Sequence, residues 1–193
     1  MPVAPARADA PSGREMNCCC WAQEPDEAPT EPSFIGLSST LKAGTVTIEA
    51  DTKVCGEGSA LGDAPILQDK GYFEARVVSA GRFAVGVATK GSPLDGVLEK
   101  AATAWTITSD HANAPAVGEV VGVAVDQADY PVQVYFYSGG KLIHQLSGVR
   151  GEVLPAFSVS GGAILDVNFG SREPWAQPMP PGFEGIIKSM SLL

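Results

Sequence analysis

From Phe34 onward the chain alternates: apolar and polar side chains change places residue by residue within short runs, and glycine-rich or polar clusters interrupt the runs roughly every 8–12 residues. A period of two is the period of a strand, whose successive side chains point to opposite faces. Wound into a helix, the same pattern would scatter its apolar groups around the whole circumference. Residues 72–78 are the clearest run, with Phe73, Ala75 and Val77 on one face and Tyr72, Glu74 and Arg76 on the other. Residues 45–48, 83–88, 120–125, 132–137, 142–146, 154–159 and 164–169 continue the series. Trp105-Thr106-Ile107-Thr108 opens a further strand-like segment in which Trp105 reads as core. Between residues 137 and 142, Gly139-Gly140 suits a tight hairpin, because a primed turn needs positive φ. The pattern predicts an all-β antiparallel sandwich or barrel. Helix signals are poor; the best, residues 181–193, reads as one short helix or one last strand.

Residues 1–33 differ in kind. They hold six prolines and six acids against Arg7 and Arg14, with few apolar side chains larger than alanine. Such a segment cannot offset the entropy of ordering itself, so it is expected to be a flexible or extended tail before a domain spanning residues 34–193. Length agrees: 193 residues suit one domain. Apolar residues make up 45% of the chain, enough for a real core, while 22 glycines and 15 prolines argue against a helical bundle. Net charge is −9 and the 13 basic residues are scattered, which sets nucleic-acid binding aside because phosphate recognition needs a concentrated basic face. No apolar run approaches the roughly 20 residues of a spanning helix. No basic stretch followed by an apolar run marks a secretory signal.

Chemistry is sparse. Only His111 and His144 could act as unshifted bases near neutral pH. His144 lies in an alternating run, with Leu142 and Leu146 expected on its own face, and reads as a half-buried strand histidine rather than a base. His111 lies in the polar loop Ser109-Asp110-His111-Ala112-Asn113, with no nucleophile motif beside it. Neither a G-x-S-x-G elbow nor an H-E-x-x-H pair occurs. Gly56, Gly58 and Gly62 nearly copy a dinucleotide fingerprint, but the last spacing is one residue too long and no helix follows. Asp126 and Asp129 flank a turn and are too few for calcium. No metal and no cofactor is expected.

Three cysteines are adjacent, Cys18, Cys19 and Cys20, and Cys55 stands apart. A disulfide scaffold spreads its cysteines, so a reducing, cytoplasmic setting is expected. Adjacent side chains in an extended chain diverge and lack the spacing of a zinc site. Two readings of the cluster stand: a bystander in a polar tail, or S-acylation that would tether the protein to a membrane. N-myristoylation is excluded at Met1 and Met16, which are followed by Pro2 and Asn17.

Several strings resemble the SPRY domain family: Gly71-Tyr72-Phe73-Glu74 followed by residues 83–89; Gly118-Glu119-Val120-Val121-Gly122-Val123-Ala124-Val125-Asp126; Val134-Tyr135-Phe136-Tyr137 with Gly140; and Pro155 with Asp166-Val167-Asn168-Phe169-Gly170. The match runs from about residue 46 to residue 183. Cys55-Gly56-x-Gly58 and the ending Pro180-Pro181-Gly182-Phe183-Glu184 resemble one cysteine-rich member of that family. The resemblance implies a bent β-sandwich of two antiparallel sheets, no catalysis, and protein or peptide docking through loops at one end. The candidate loops are residues 90–104, 109–117 and 126–131, and their candidate contacts are Asp95, Asp110, His111, Asn113, Asp129 and Tyr130. The alternative is a structural subunit held permanently in a large cytoplasmic or cytoskeletal assembly, with the tail threaded along its neighbours.

Overall fold

The computed structural model describes residues 33–99, 102–171 and 174–188. The tail, with Cys18, Cys19 and Cys20, lies outside the described residues, as do residues 189–193 of the terminal stretch. The strands, in chain order, are Leu37–Lys42 (β1), Val46–Glu49 (β2), Lys53–Gly56 (β3), Gly58–Gly62 (β4), Lys70–Ser79 (β5), Arg82–Thr89 (β6), Ala104–Thr108 (β7), Val120–Asp126 (β8), Gln133–Ser138 (β9), Lys141–Ser147 (β10), Val153–Ser160 (β11), Ile164–Asn168 (β12) and Glu184–Gly185 (β13). They form two sheets. The small one runs β1-β4-β11-β6-β7 and the large one β10-β9-β8-β5-β12-β3-β2, with β13 added parallel to β5. Among the described residues, the terminal stretch therefore contributes a short strand and no helix.

Every strand-like run read from the sequence is a strand, and β1, β3 and β4 join them. β4 lacks clean alternation for a physical reason. β4, Gly58-Ser59-Ala60-Leu61-Gly62, is buried on both faces, so burial cannot select alternate polar residues. The Cys55-Gly56-x-Gly58 string is the corner where the chain leaves the large sheet at β3 and enters the small one at β4. Gly56 there has φ 104°, and a Cβ on it would lie on the Thr45 carbonyl, so a side chain is barred by both backbone and space. Gly139 and Gly140, at φ 56° and 73°, make the expected hairpin turn between β9 and β10.

The facing sides of the sheets are the core. Phe73 of β5, Phe157 of β11 and Phe169 after β12 pack ring on ring across the interlayer, with centroids 5.6–6.1 Å apart. Trp105 is buried there, as expected. The outer faces are partly covered as well. Over the small sheet, the β6–β7 connection packs Leu94 and Leu98 against Leu61, Leu154 and Ala156. Over the large sheet, the segment after β12 packs Trp175, Met179 and Phe183 against Tyr72, Tyr135 and Tyr137. That second cover explains why Tyr72 and Glu74, on the face opposite Phe73, are buried too.

Candidate functional site

Chain order separates the candidate loops. β8 carries the 109–119 loop at its start and the 127–132 turn at its end, seven residues apart, roughly 20 Å of strand. Asp110, His111 and Asn113 therefore stand at one end of the sandwich, and Asp129 and Tyr130 at the other.

The third loop supplies, in its described residues 90–99, the strap over the small sheet. Three buried hydroxyls pin it: Ser59 Oγ donates to the Gly96 carbonyl (2.6 Å), Leu98 N donates to Ser158 Oγ (3.0 Å), and Thr106 Oγ1 donates to the Leu98 carbonyl (2.6 Å). Ser59 N also donates to the Leu94 carbonyl (2.8 Å), so Asp95 sits exposed between two fixed residues. Sequence reading missed these anchors, because Ser and Thr in a strand give no signal of what will cross above them.

At the 109–119 end, the two histidines meet with ring centroids 4.5 Å apart, and His144 also lies against Phe136. Asn113 Nδ2 donates to the Ile143 carbonyl (3.4 Å) and Asn113 N to His111 Nδ1 (3.2 Å), fastening the loop to the edge strand β10. Asp110 instead faces Arg82, which is shared with Glu99 (3.7 and 2.8 Å). His144 is half-buried as expected, but Leu142 is not on its face. A register shift between them pairs Leu142 with Tyr137 and His144 with Phe136. The extra residue turns Leu142 outward, where it is exposed. The histidine rings pack on each other and on Phe136 of β9.

The other end carries a different surface. Tyr130 is 81% exposed and Leu67, in the β4–β5 connection, is 59% exposed. Their loops are tied together: Gln127 Nε2 donates to the carbonyls of Ile66 and Gln68, both at 3.0 Å, so Leu67 is held between two anchored residues. Gln127 N donates to the Asp69 carbonyl (2.7 Å), and Lys70 pairs with Asp126 (3.4 Å). Ile187 N donates to Gln68 Oε1 (3.0 Å), bringing a third exposed apolar residue to the same loop system. Among the described residues, three of the six exposed large apolar side chains are thus joined here, with Asp129 beside them. Leu67 and Ile187 were missed in the sequence, where each looks like an isolated loop hydrophobe.

One concavity lies elsewhere, a cleft of about 430 Å³ on the outer face of the large sheet, lined by Thr52, Glu74, Arg76, Asp166, Asn168 and Trp175 among others. Glu74 is buried and fully engaged: it accepts from Tyr72 Oη (2.9 Å), Ala176 N (2.8 Å) and Gln177 N (3.2 Å). Burial, and then the Glu74 carboxylate, push Tyr72 far above the usual phenol range, so its hydroxyl remains a donor. No three His, Cys, Asp or Glu side chains converge as metal ligands among the described residues.

No family model matches the chain. It is 34% identical to SPRY domain-containing protein 7 of Gallus gallus over 166 residues, 77% of this chain and 81% of the relative. The Homo sapiens protein of that name is 34% identical over 158 residues, 74% of this chain and 77% of the relative. The crystal structure of the TRIM65 PSpry domain superposes with a TM-score of 0.56 at 12% identity, covering 70% of this chain and 92% of that one, which is a likeness of fold.

Proposed function

Because the chain belongs to the SPRY domain family, alongside the proteins named SPRY domain-containing protein 7, we propose that it is a non-enzymatic module that docks a protein or peptide partner on the loop surface around Tyr130. The carrying observation is the association of Tyr130, Leu67 and Ile187 on loops cross-tied through Gln127 and Gln68. Exposed large apolar groups gain most from being covered, and a clustered set marks a contact surface. A tyrosine gives large contact area with few rotatable bonds, and a backbone already fixed loses little entropy on binding. Asp69, Asp126 and Asp129 supply a polar rim around the apolar centre. The histidine pair and the strap over the small sheet serve packing in this reading.

The test is affinity capture and titration with the full chain as wild type, Tyr130→Ala and Leu67→Ala/Tyr130→Ala. Partner binding is expected to weaken by at least about 1 kcal/mol for the single variant and further for the double. Unfolding free energy should stay within about 0.5 kcal/mol of wild type, as for other surface substitutions. Partners retained at full affinity by the double variant would place docking on another surface.

A further inference from the structure

The cleft on the large sheet shares no residue with the Tyr130 surface, and its chemistry is of another kind. On its floor Asp166 of β12 and Arg76 of β5 are direct cross-strand neighbours, and Lys53 of β3, outside the lining, is the neighbour of Asp166 on its other side. Opposite charges in that register usually pair. Here they do not: Arg76 donates to the Gly118 carbonyl (3.3 Å), and among the described residues the Asp166 carboxylate has no hydrogen bond and no ion pair. Its carboxylate is half-buried. Glu74, the other acid of the floor, already holds three donors. The open acceptor of the floor is therefore the Asp166 carboxylate, with up to four lone-pair positions, beside an Arg76 guanidinium drawn aside toward Gly118. Trp175 stands as an aromatic wall, its indole fixed edge-on against the Tyr72 ring at 4.9 Å. The covering segment that carries Trp175 is itself held down by Glu74, so wall and floor are preset relative to each other.

An open carboxylate below an aromatic wall suits a planar, donor-rich cation. We propose that the cleft is a binding site for a basic side chain of a partner peptide, arginine above all. The guanidinium fork pairs with the Asp166 carboxylate through two parallel hydrogen bonds, and its plane and alkyl stem rest on Trp175. A volume of about 430 Å³ accommodates such a side chain and its flanking backbone. The net charge of −9 favours approach of a basic partner.

The full chain is titrated with N-acetyl-arginine amide while the indole N–H signals are followed by NMR, and N-acetyl-citrulline amide, neutral and nearly isosteric, serves as the matched control. The arginine probe is expected to bind with a dissociation constant of about 1 mM, the scale of a single anchored side chain. It should shift the Trp175 indole signal, and 0.5 M salt should weaken it severalfold. Citrulline should bind at least about tenfold more weakly, as a neutral hydrogen bond is roughly half as strong as a charge-assisted one. Asp166→Asn should lose the arginine preference. The comparison of the two probes on the wild-type chain decides the matter even if that variant folds poorly. Equal binding of arginine and citrulline, no movement of the Trp175 signal, or undiminished arginine binding by a folded Asp166→Asn chain would overturn the assignment. So would tighter binding of free glycine than of the blocked arginine, which would make the cleft a zwitterion site.

Discussion

Replacing Glu74 by alanine removes one carboxylate and releases three donors. Two of them, Tyr72 Oη and Gln177 N, belong to buried residues, whereas Ala176 is exposed and its N–H can turn to water. A buried donor left unsatisfied costs about 1–3 kcal/mol. Two therefore sum to about 2–6 kcal/mol, from which the relieved desolvation of the carboxylate itself subtracts. The expected destabilisation is about 3 kcal/mol, a melting temperature lower by about 6–12 °C at 2–4 °C per kcal/mol for a chain of this size. Glu74→Gln keeps one acceptor but sets an amide N–H against a donor, so it should fall between the two. Urea unfolding measures the free energies. Hydrogen exchange reads the mechanism: the Ala176 and Gln177 amides should exchange at least about tenfold faster in Glu74→Ala, while those in β11 follow only the global change. A loss under about 1 kcal/mol with unchanged exchange at Ala176 and Gln177 would refute the view that Glu74 holds the covering segment on the sheet.

Tyr72 makes the domain sensitive to alkali. Its folded pKa is raised, so its contribution is fully present below the unfolded value of about 10 and is lost as pH rises above it, by about 1.4 kcal/mol per pH unit. Unfolding free energies between pH 8 and 11.5 should fall in the upper part of that range, and Tyr72→Phe should flatten the fall. His111→Ala/His144→Ala removes ring packing at the end opposite Tyr130, so calorimetry should show a loss of about 1–3 kcal/mol while Tyr130-dependent binding persists. Binding that vanishes with the histidines in a still-folded chain would move the docking surface to their end. For the N-terminal cluster, at least two of Cys18, Cys19 and Cys20 are expected to carry acyl chains, because one chain gives only marginal membrane binding. A hydroxylamine-dependent acyl-exchange assay should label the wild type but not the triple serine variant, which should move to the soluble fraction; a blank assay on wild type leaves the cluster a bystander.

The strands with one wetter face were legible because burial on one side and water on the other print a period of two into the residues, as at Leu165-Asp166-Val167-Asn168. Tyr130 was legible as an exposed ring because Asp129 and Pro131 around it mark a turn. The docking surface as a whole was not, since Leu67, Tyr130 and Ile187 are far apart in the chain and are joined by two glutamine side chains with no sequence signature of their own. The cleft was hidden for a similar reason: Lys53, Asp166 and Arg76 become neighbours only through the β3-β12-β5 register. The strap pinned by Ser59, Ser158 and Thr106 reads in sequence as one loop among others. The sequence by itself determined most of the strands, the glycine turn between β9 and β10, and an antiparallel all-β core, because these follow from local periodicity and from the backbone freedom of glycine; β1, β3 and β4 carried no such pattern, and the choice of sandwich over barrel came from the family resemblance. Only the tertiary structure decided which loops share an end, which face each covering segment protects, and which charges stand together. Those depend on strand order and register, which are set by how all the strands bury their apolar faces at once.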